Sequence, residues 1–119
     1  MKILDVHNFS VGFKISEHKT FDAVKGISFC IHQGEILGLI GESGSGKSVA
    51  SQSITRLLDD AIMAGEVLFN HQDHQVNLLT VHEDKLTQIR KREISYIFQE
   101  PMTALNPLIT CGKQILECA

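Results

Sequence analysis

No stretch of this 119-residue sequence is apolar over the roughly 20 residues needed to span a bilayer. The first residues, Met1-Lys2-Ile3-Leu4-Asp5-Val6-His7-Asn8, lack the apolar core of a secretory signal. Positive charge is not in excess: 11 Lys and Arg stand against 14 Asp and Glu, for a net charge of -3. The basic residues are dispersed except for Arg90-Lys91-Arg92, which reads as the last turn of a helix, where cations are favoured. That balance argues against a nucleic-acid partner. Cysteine is sparse and odd in number (Cys30, Cys111, Cys118), so the thiols read as reduced, packed residues. His71 and His74 sit three residues apart in the polar stretch 70–75, which reads as a solvated turn in preference to a metal site. There is no internal repeat and no low-complexity segment. The apolar content of 43% is that of a globular chain, and the length suits one modest domain.

The residues present are organised around Gly41-Glu42-Ser43-Gly44-Ser45-Gly46-Lys47-Ser48, which fits G-x-x-x-x-G-K-[ST], the phosphate-binding loop. The apolar run Ile36-Leu37-Gly38-Leu39-Ile40 before it has the character of a buried parallel strand. After it, Ala50, Ile54, Leu57 and Leu58 fall on one helical face. Strand, glycine loop and helix is the setting in which the motif works. Backbone N–H groups must converge on phosphate oxygens, in conformations a Cβ would obstruct. The helix adds free N–H groups and the positive end of its dipole. Lys47 would reach the β- and γ-phosphates, and Ser48 would give its hydroxyl to Mg²⁺. The competing reading, a glycine-rich turn with no ligand, leaves Lys47 and Ser48 without a reason to be there.

In chain order, residues 3–13 alternate loosely (Ile3, Leu4, Val6, Phe9, Val11, Phe13) and predict a strand. Residues 14–22 read as a polar hairpin loop, and 23–31 as a second strand. Gly34 supplies a turn. The helix starting at Lys47 is expected to run to residue 58, with a strand at 65–70. Thr80-Val81-His82-Glu83 predicts a capping box opening a helix to about Arg92. Ile94-Ser95-Tyr96-Ile97-Phe98 is β-prone and is stopped by Pro101. A last helix is expected from about Thr110, and it is still running at Ala119, so the chain reads as cut in mid-element.

The segment Ile97-Phe98-Gln99-Glu100-Pro101-Met102-Thr103-Ala104-Leu105-Asn106-Pro107 resembles the Q-loop region of ABC-transporter ATPases. Together with residues 41–48 it is similar to the ATP-binding subunits of dipeptide and oligopeptide importers. The likeness covers essentially the whole chain. It implies an α/β fold: the P-loop NTPase core of an ABC ATPase with an antiparallel β subdomain, truncated after the Q-loop. Residues 1–119 would be the N-terminal part of one nucleotide-binding domain. Its β subdomain would lie at about 1–35 and 62–80, the P-loop strand and helix at 36–58, and the Q-loop strand and loop at 94–107.

The resemblance also assigns roles. Residues 41–49 (Gly41, Glu42, Ser43, Gly44, Ser45, Gly46, Lys47, Ser48, Val49) would hold ATP, with Ser48 and Gln99 at Mg²⁺. Lys47 and Gln99 would be the catalytic pair, Gln99 positioning water and sensing a transmembrane partner. Its amide both donates and accepts, which suits that task. An upstream aromatic residue would stack on adenine: Phe13, with Phe21 as the second candidate and a plain core position as the alternative for Phe13. Lys113 departs from the acidic residue common at that place.

Implied partners are transmembrane permease subunits, a second ABC ATPase subunit and, indirectly, a solute-binding protein. The implied location is peripheral, on the cytoplasmic face of the bacterial inner membrane. The Asp-Glu-ended Walker B strand, the LSGGQ-like motif and the switch histidine are not among these 119 residues. Hydrolysis is therefore an expectation for a longer parent. The alternatives are a non-catalytic nucleotide-binding fragment and a soluble ABC ATPase unconnected with transport. Residues 36–40 and 94–98, lacking neighbouring strands, are expected to expose unpaired backbone and apolar side chains.

Overall fold

The computed structural model describes residues 1–42, 44–71, 73–99, 108 and 110–118. The chain divides into two units, Met1–Val81 and His82–Ala119. In the first, four strands form one antiparallel sheet: β1 (Lys2–Ser16), β2 (Lys19–His32), β3 (Ala61–His71) and β4 (His74–Asn77), in the order β2-β1-β3-β4. Helix α1 (Lys47–Ile54) packs against β1, β2 and β3.

The loose alternation of β1 has a structural cause. Leu4 and Val6 are buried at even positions, Phe9 and Val11 at odd ones. A regular strand would turn one of these pairs outward. From Val6 to Phe9, β1 takes three steps while β2 takes two, from Phe29 to Ile27. From His7 to Ser10 it again takes three while β3 takes two, from Glu66 to Ala64. The extra residue is a β-bulge at Asn8, whose φ is 46°. Asn8 N–H, displaced from the ladder, donates to Ser28 Oγ at 2.9 Å. Opposite the bulge, Gly65 has φ 98°, and a Cβ there would lie 2.3 Å from the Asn8 carbonyl oxygen. With the phase corrected, Val24, Val67, Phe69 and Leu78 join the four β1 residues in the core. Each such side chain contributes on the order of 1.5–3 kcal/mol by leaving water.

Several boundaries differ from the sequence reading. The expected loop at 14–22 is mostly ladder: Lys14 pairs with Thr20 and Ser16 with Lys19, leaving a two-residue turn at 17–18. The stretch 70–75, read as a turn, pairs Asn70 with Gln75 and His71 with His74, and reverses at Asp73, where φ is 64°. α1 stops at Ile54, four residues before the expected end. Leu57 N–H donates to the Gln52 carbonyl and Arg56 N–H to that of Ser53, the paired bonds of a Schellman motif. Its left-handed residue is Arg56, at φ 55°. Arg56 Nη2 donates to the Val81 carbonyl at 2.7 Å, fixing the turn.

Residues 36–40 and 94–98 form no strand. Among the described residues every ladder belongs to the antiparallel sheet, so these apolar runs have no neighbour to pair with. Ile36 is 98% exposed, Ile40 96% and Ile97 90%.

In the second unit, α2 spans Glu83–Arg92 and α3 spans Cys111–Cys118. The cap of α2 is His82 and not Thr80: His82 Nδ1 accepts from Asp84 N–H at 3.3 Å, while Thr80 Oγ1 donates to the Asn77 carbonyl. Glu83 and Asp84 occupy its first turn and Arg90, Lys91 and Arg92 its last, both favourable to the helix dipole. Thr110 Oγ1 accepts from Lys113 N–H at 3.3 Å, capping α3 despite the lysine. No helix among the described residues is long and apolar enough to cross a membrane.

Candidate functional site

The glycine loop leads straight into α1, and Gly46 is the cap residue, at φ 95°. Two constraints meet at this position. The backbone is left-handed, and a Cβ would lie 2.5 Å from the carbonyl oxygen of Ala23 on β2. Only glycine satisfies both, so the loop sits directly on the main chain of β2. The Gly46 carbonyl accepts from Ala50 N–H at 2.8 Å, and Ala50 is buried, which anchors the first turn. Gly46 has no side chain to cap the first turn of α1, and no acidic residue occupies that turn. The positive end of the helix is therefore left to an outside anion.

Lys47, the first residue of α1, curls back over the loop. Its Nζ donates to the carbonyl oxygens of Gly41 and Glu42, the latter at 2.7 Å. Ser48 is exposed on the same turn, so its hydroxyl is available to a ligand or metal. Val49 follows, half-buried. Ser43 lies outside the described residues.

A cavity of about 540 Å³ opens between this loop and β2. That volume is within the range of small-molecule pockets, about 300–1,000 Å³. Its floor is Gly44, Ser45, Gly46 and Lys47, and apolar walls come from Phe21, Val24, Leu39 and Ile40. Phe21 is 56% exposed and presents an aromatic ring beside the phosphate loop. Phe13 pairs with Phe21 across the ladder but does not line the cavity. Apart from Phe21, the β2 wall, including Asp22 and Lys25, was missed in the sequence. The signal was Gly46 itself, since a glycine at the start of a helix marks close backbone approach.

Gln99 lies in the second unit and is exposed. Just before it, the Tyr96 and Phe98 rings meet edge-to-face at 4.8 Å. The loop residues Glu100 to Pro107 lie outside the described residues. Among the described residues no cluster of three or more His, Cys, Asp or Glu side chains is arranged to hold a metal ion.

Comparison with known proteins supplies the context for this geometry. Residues 24–117 match the family model described as ABC transporter. The glutathione import ATP-binding protein GsiA of Pectobacterium atrosepticum is 41% identical over 98% of this chain and 19% of its own length. The oligopeptide transport ATP-binding protein OppD of Bacillus subtilis is 40% identical, over 98% and 32%. The dipeptide transport ATP-binding protein DppD of Escherichia coli is 44% identical, over 98% and 35%. The chain thus spans between a fifth and about a third of the length of these relatives.

Proposed function

This chain belongs to the ABC transporter family, and from that premise we propose that it binds ATP as part of an importer ATPase that powers uptake of di- or oligopeptides or a related solute. The observation that carries the reading is Lys47 at the uncapped start of α1, bonded to the Gly41 and Glu42 carbonyls beside a nucleotide-sized cavity lined by Gly44, Ser45 and Gly46. The cradle fits a triphosphate. It has a helix N-terminus, a lysine within the loop, an accessible serine hydroxyl and an aromatic wall at one side. Gly41, Glu42, Ser43, Gly44, Ser45, Gly46 and Val49 would surround the phosphates with backbone N–H groups, and Lys47 would neutralise them. Ser48 would hold Mg²⁺, which neutralises phosphate charge and orients the tail. ATP supplies the γ-phosphoryl group whose release drives the cycle.

The relatives' names point to import of glutathione, oligopeptides and dipeptides. On this reading residues 1–119 are the N-terminal part of one nucleotide-binding domain. It would work with permease subunits and a second ATPase subunit, peripherally at the cytoplasmic face of the inner membrane. Gln99 would couple the nucleotide to the permease. Hydrolysis needs a group that orients water and charge stabilisation at the γ-phosphate, and residues 1–119 contain one half of such a site. Nucleotide binding without turnover is the second reading for these 119 residues.

Calorimetric titration with Mg·ATP tests the proposal. Lys47→Ala removes the charge inside the loop, and measurable ATP binding should disappear. Unchanged affinity would refute the site. For the base, the cavity favours Phe21 over Phe13. Phe21→Ala should weaken ATP by about 1–3 kcal/mol, a usual value for base stacking on an aromatic ring, while leaving tripolyphosphate affinity intact. If Phe13→Ala alone has that effect, the assignment reverts to Phe13.

A further inference from the structure

The side chain that caps α2 can be titrated. Most N-caps are hydroxyl, amide or carboxylate oxygens, which keep their lone pairs near neutral pH. Here the acceptor is an imidazole nitrogen: His82 Nδ1 accepts from Asp84 N–H at 3.3 Å. A backbone N–H can only donate, so Nδ1 carries no proton in this bond and the ring's hydrogen sits on Nε2. The same nitrogen lies 3.5 Å from Asp84 Oδ2, which can only accept when ionised. One atom thus faces a donor and an acceptor of a single residue, and its proton decides which of them it serves. The His82 carbonyl in turn accepts from Leu86 N–H at 3.0 Å, and Leu86 is fully buried. The first turn of the helix therefore hangs on His82 by both its side chain and its main chain.

From this arrangement we infer that His82 is a pH-sensitive cap, which holds the first turn of α2 while its ring is neutral and releases it when the ring is protonated. Imidazole is the side chain whose charge ordinarily changes near neutrality, at about pH 6.5. As pH falls through that range Nδ1 gains a hydrogen, and Asp84 N–H is left to water. The new Nδ1–H turns to the Asp84 carboxylate instead. That exchange is a net loss for the helix. His82 and Asp84 are both exposed, and an exposed ion pair is worth less than an N-cap. The new charge also stands at the positive end of the helix, where cations are disfavoured. The other charged groups here are Glu83, paired with Arg90 at 3.0 Å, and Arg56, which donates to the carbonyl of Val81, the residue before the cap. Carboxylates ordinarily titrate at about pH 4, and arginine stays charged throughout, so the imidazole is the group among these that changes charge in this range. The far end of α2, where Glu93 N–H donates to the Ile89 carbonyl at 2.9 Å, contains no histidine.

The test is amide hydrogen exchange of the 119-residue chain, followed residue by residue and normalised to the rate of an unstructured chain. It is run about one unit above and about one unit below pH 6.5. His82→Asn serves as the comparison, because an amide oxygen caps a helix without titrating. On the acid side the protection of Leu86 N–H should fall about three- to tenfold, the loss expected of one cap. Protection of Glu93 N–H should hold, and in His82→Asn both amides should be protected equally at the two pH values. Nitrogen-15 spectra of the His82 ring should place the proton of the neutral form on Nε2. Leu86 protection that stays level or rises on the acid side overturns the inference, since the Asp84 ion pair would then compensate for the cap. A fall of the same size in His82→Asn, or at Glu93, also overturns it, by assigning the loss to another group or to the whole helix. So does a neutral ring protonated on Nδ1, which could not accept from Asp84 N–H.

Discussion

Ser53 lies fully buried on α1, and among the described residues its Oγ has no hydrogen-bond partner. A buried unpaired hydroxyl costs about 1–3 kcal/mol, and alanine is the better helix former. Ser53→Ala should therefore raise stability by about 1 kcal/mol, read as a higher thermal midpoint; a lower midpoint would show that the hydroxyl has a partner in solution. The sequence could not point to this residue. Apolar periodicity placed the inner face of α1 at 50, 54, 57 and 58, whereas the buried positions are Ala50 and Ser53. Hydrophobicity is blind to a serine that is buried by packing alone. Gly46, by contrast, was fully legible as part of the loop motif, although its contact with Ala23 was not.

At the scale of the element, what was legible follows how local the cause is. The start of α1 is encoded in consecutive residues and was read correctly. Its end depends on an arginine in a conformation that glycine usually takes, held by a carbonyl 25 residues away, and nothing in the local sequence announces that. The strands β1 and β2 were legible in position but not in length, because ladder pairing extended them through residues that read as polar. β1 was legible only as an imperfect alternation, because its bulge becomes visible when the partner strands are present. The bulge carries its own test. Gly65 combines a left-handed backbone with a 2.3 Å approach to Asn8 main chain, and that neighbour cannot step aside as a flexible side chain can. Gly65→Ala should lower the stability of the sheet by more than the ~1 kcal/mol of an unstrained glycine replacement. Chemical denaturation measures it; an unchanged midpoint would mean that β1 and β3 can separate locally at no cost.

At the scale of the molecule, the two apolar runs 36–40 and 94–98 form no strand and expose their side chains, as expected of runs without neighbouring strands. Ile36, Ile40 and Ile97 have the composition of an interior and the exposure of a surface. Apolar segments without ladder partners favour self-association. Sizing chromatography with light scattering on the isolated 119-residue chain should show concentration-dependent assembly and binding of an apolar dye. A monodisperse monomer that unfolds cooperatively would remove the prediction. The family was legible because the phosphate loop and the Q-loop region are contiguous stretches of chain. The cavity was not, because one of its walls comes from β2, a separate strand upstream of the loop.

The bulge at Asn8 also governs which length changes β1 can survive. Upstream of it the inward positions are even, and downstream they are odd, so the strand is read in two frames joined at a single residue. Losing any one residue between Phe9 and Phe13 would shift part of the second frame and turn buried side chains such as Val11 toward water. Losing Asn8 itself would merge the frames into one regular strand with Leu4, Val6, Phe9 and Val11 still on a single face, at the cost of the bulge. In descent, then, this strand is free to exchange one apolar side chain for another, while a single-residue loss is compatible with its buried face at Asn8 and not between Phe9 and Val11.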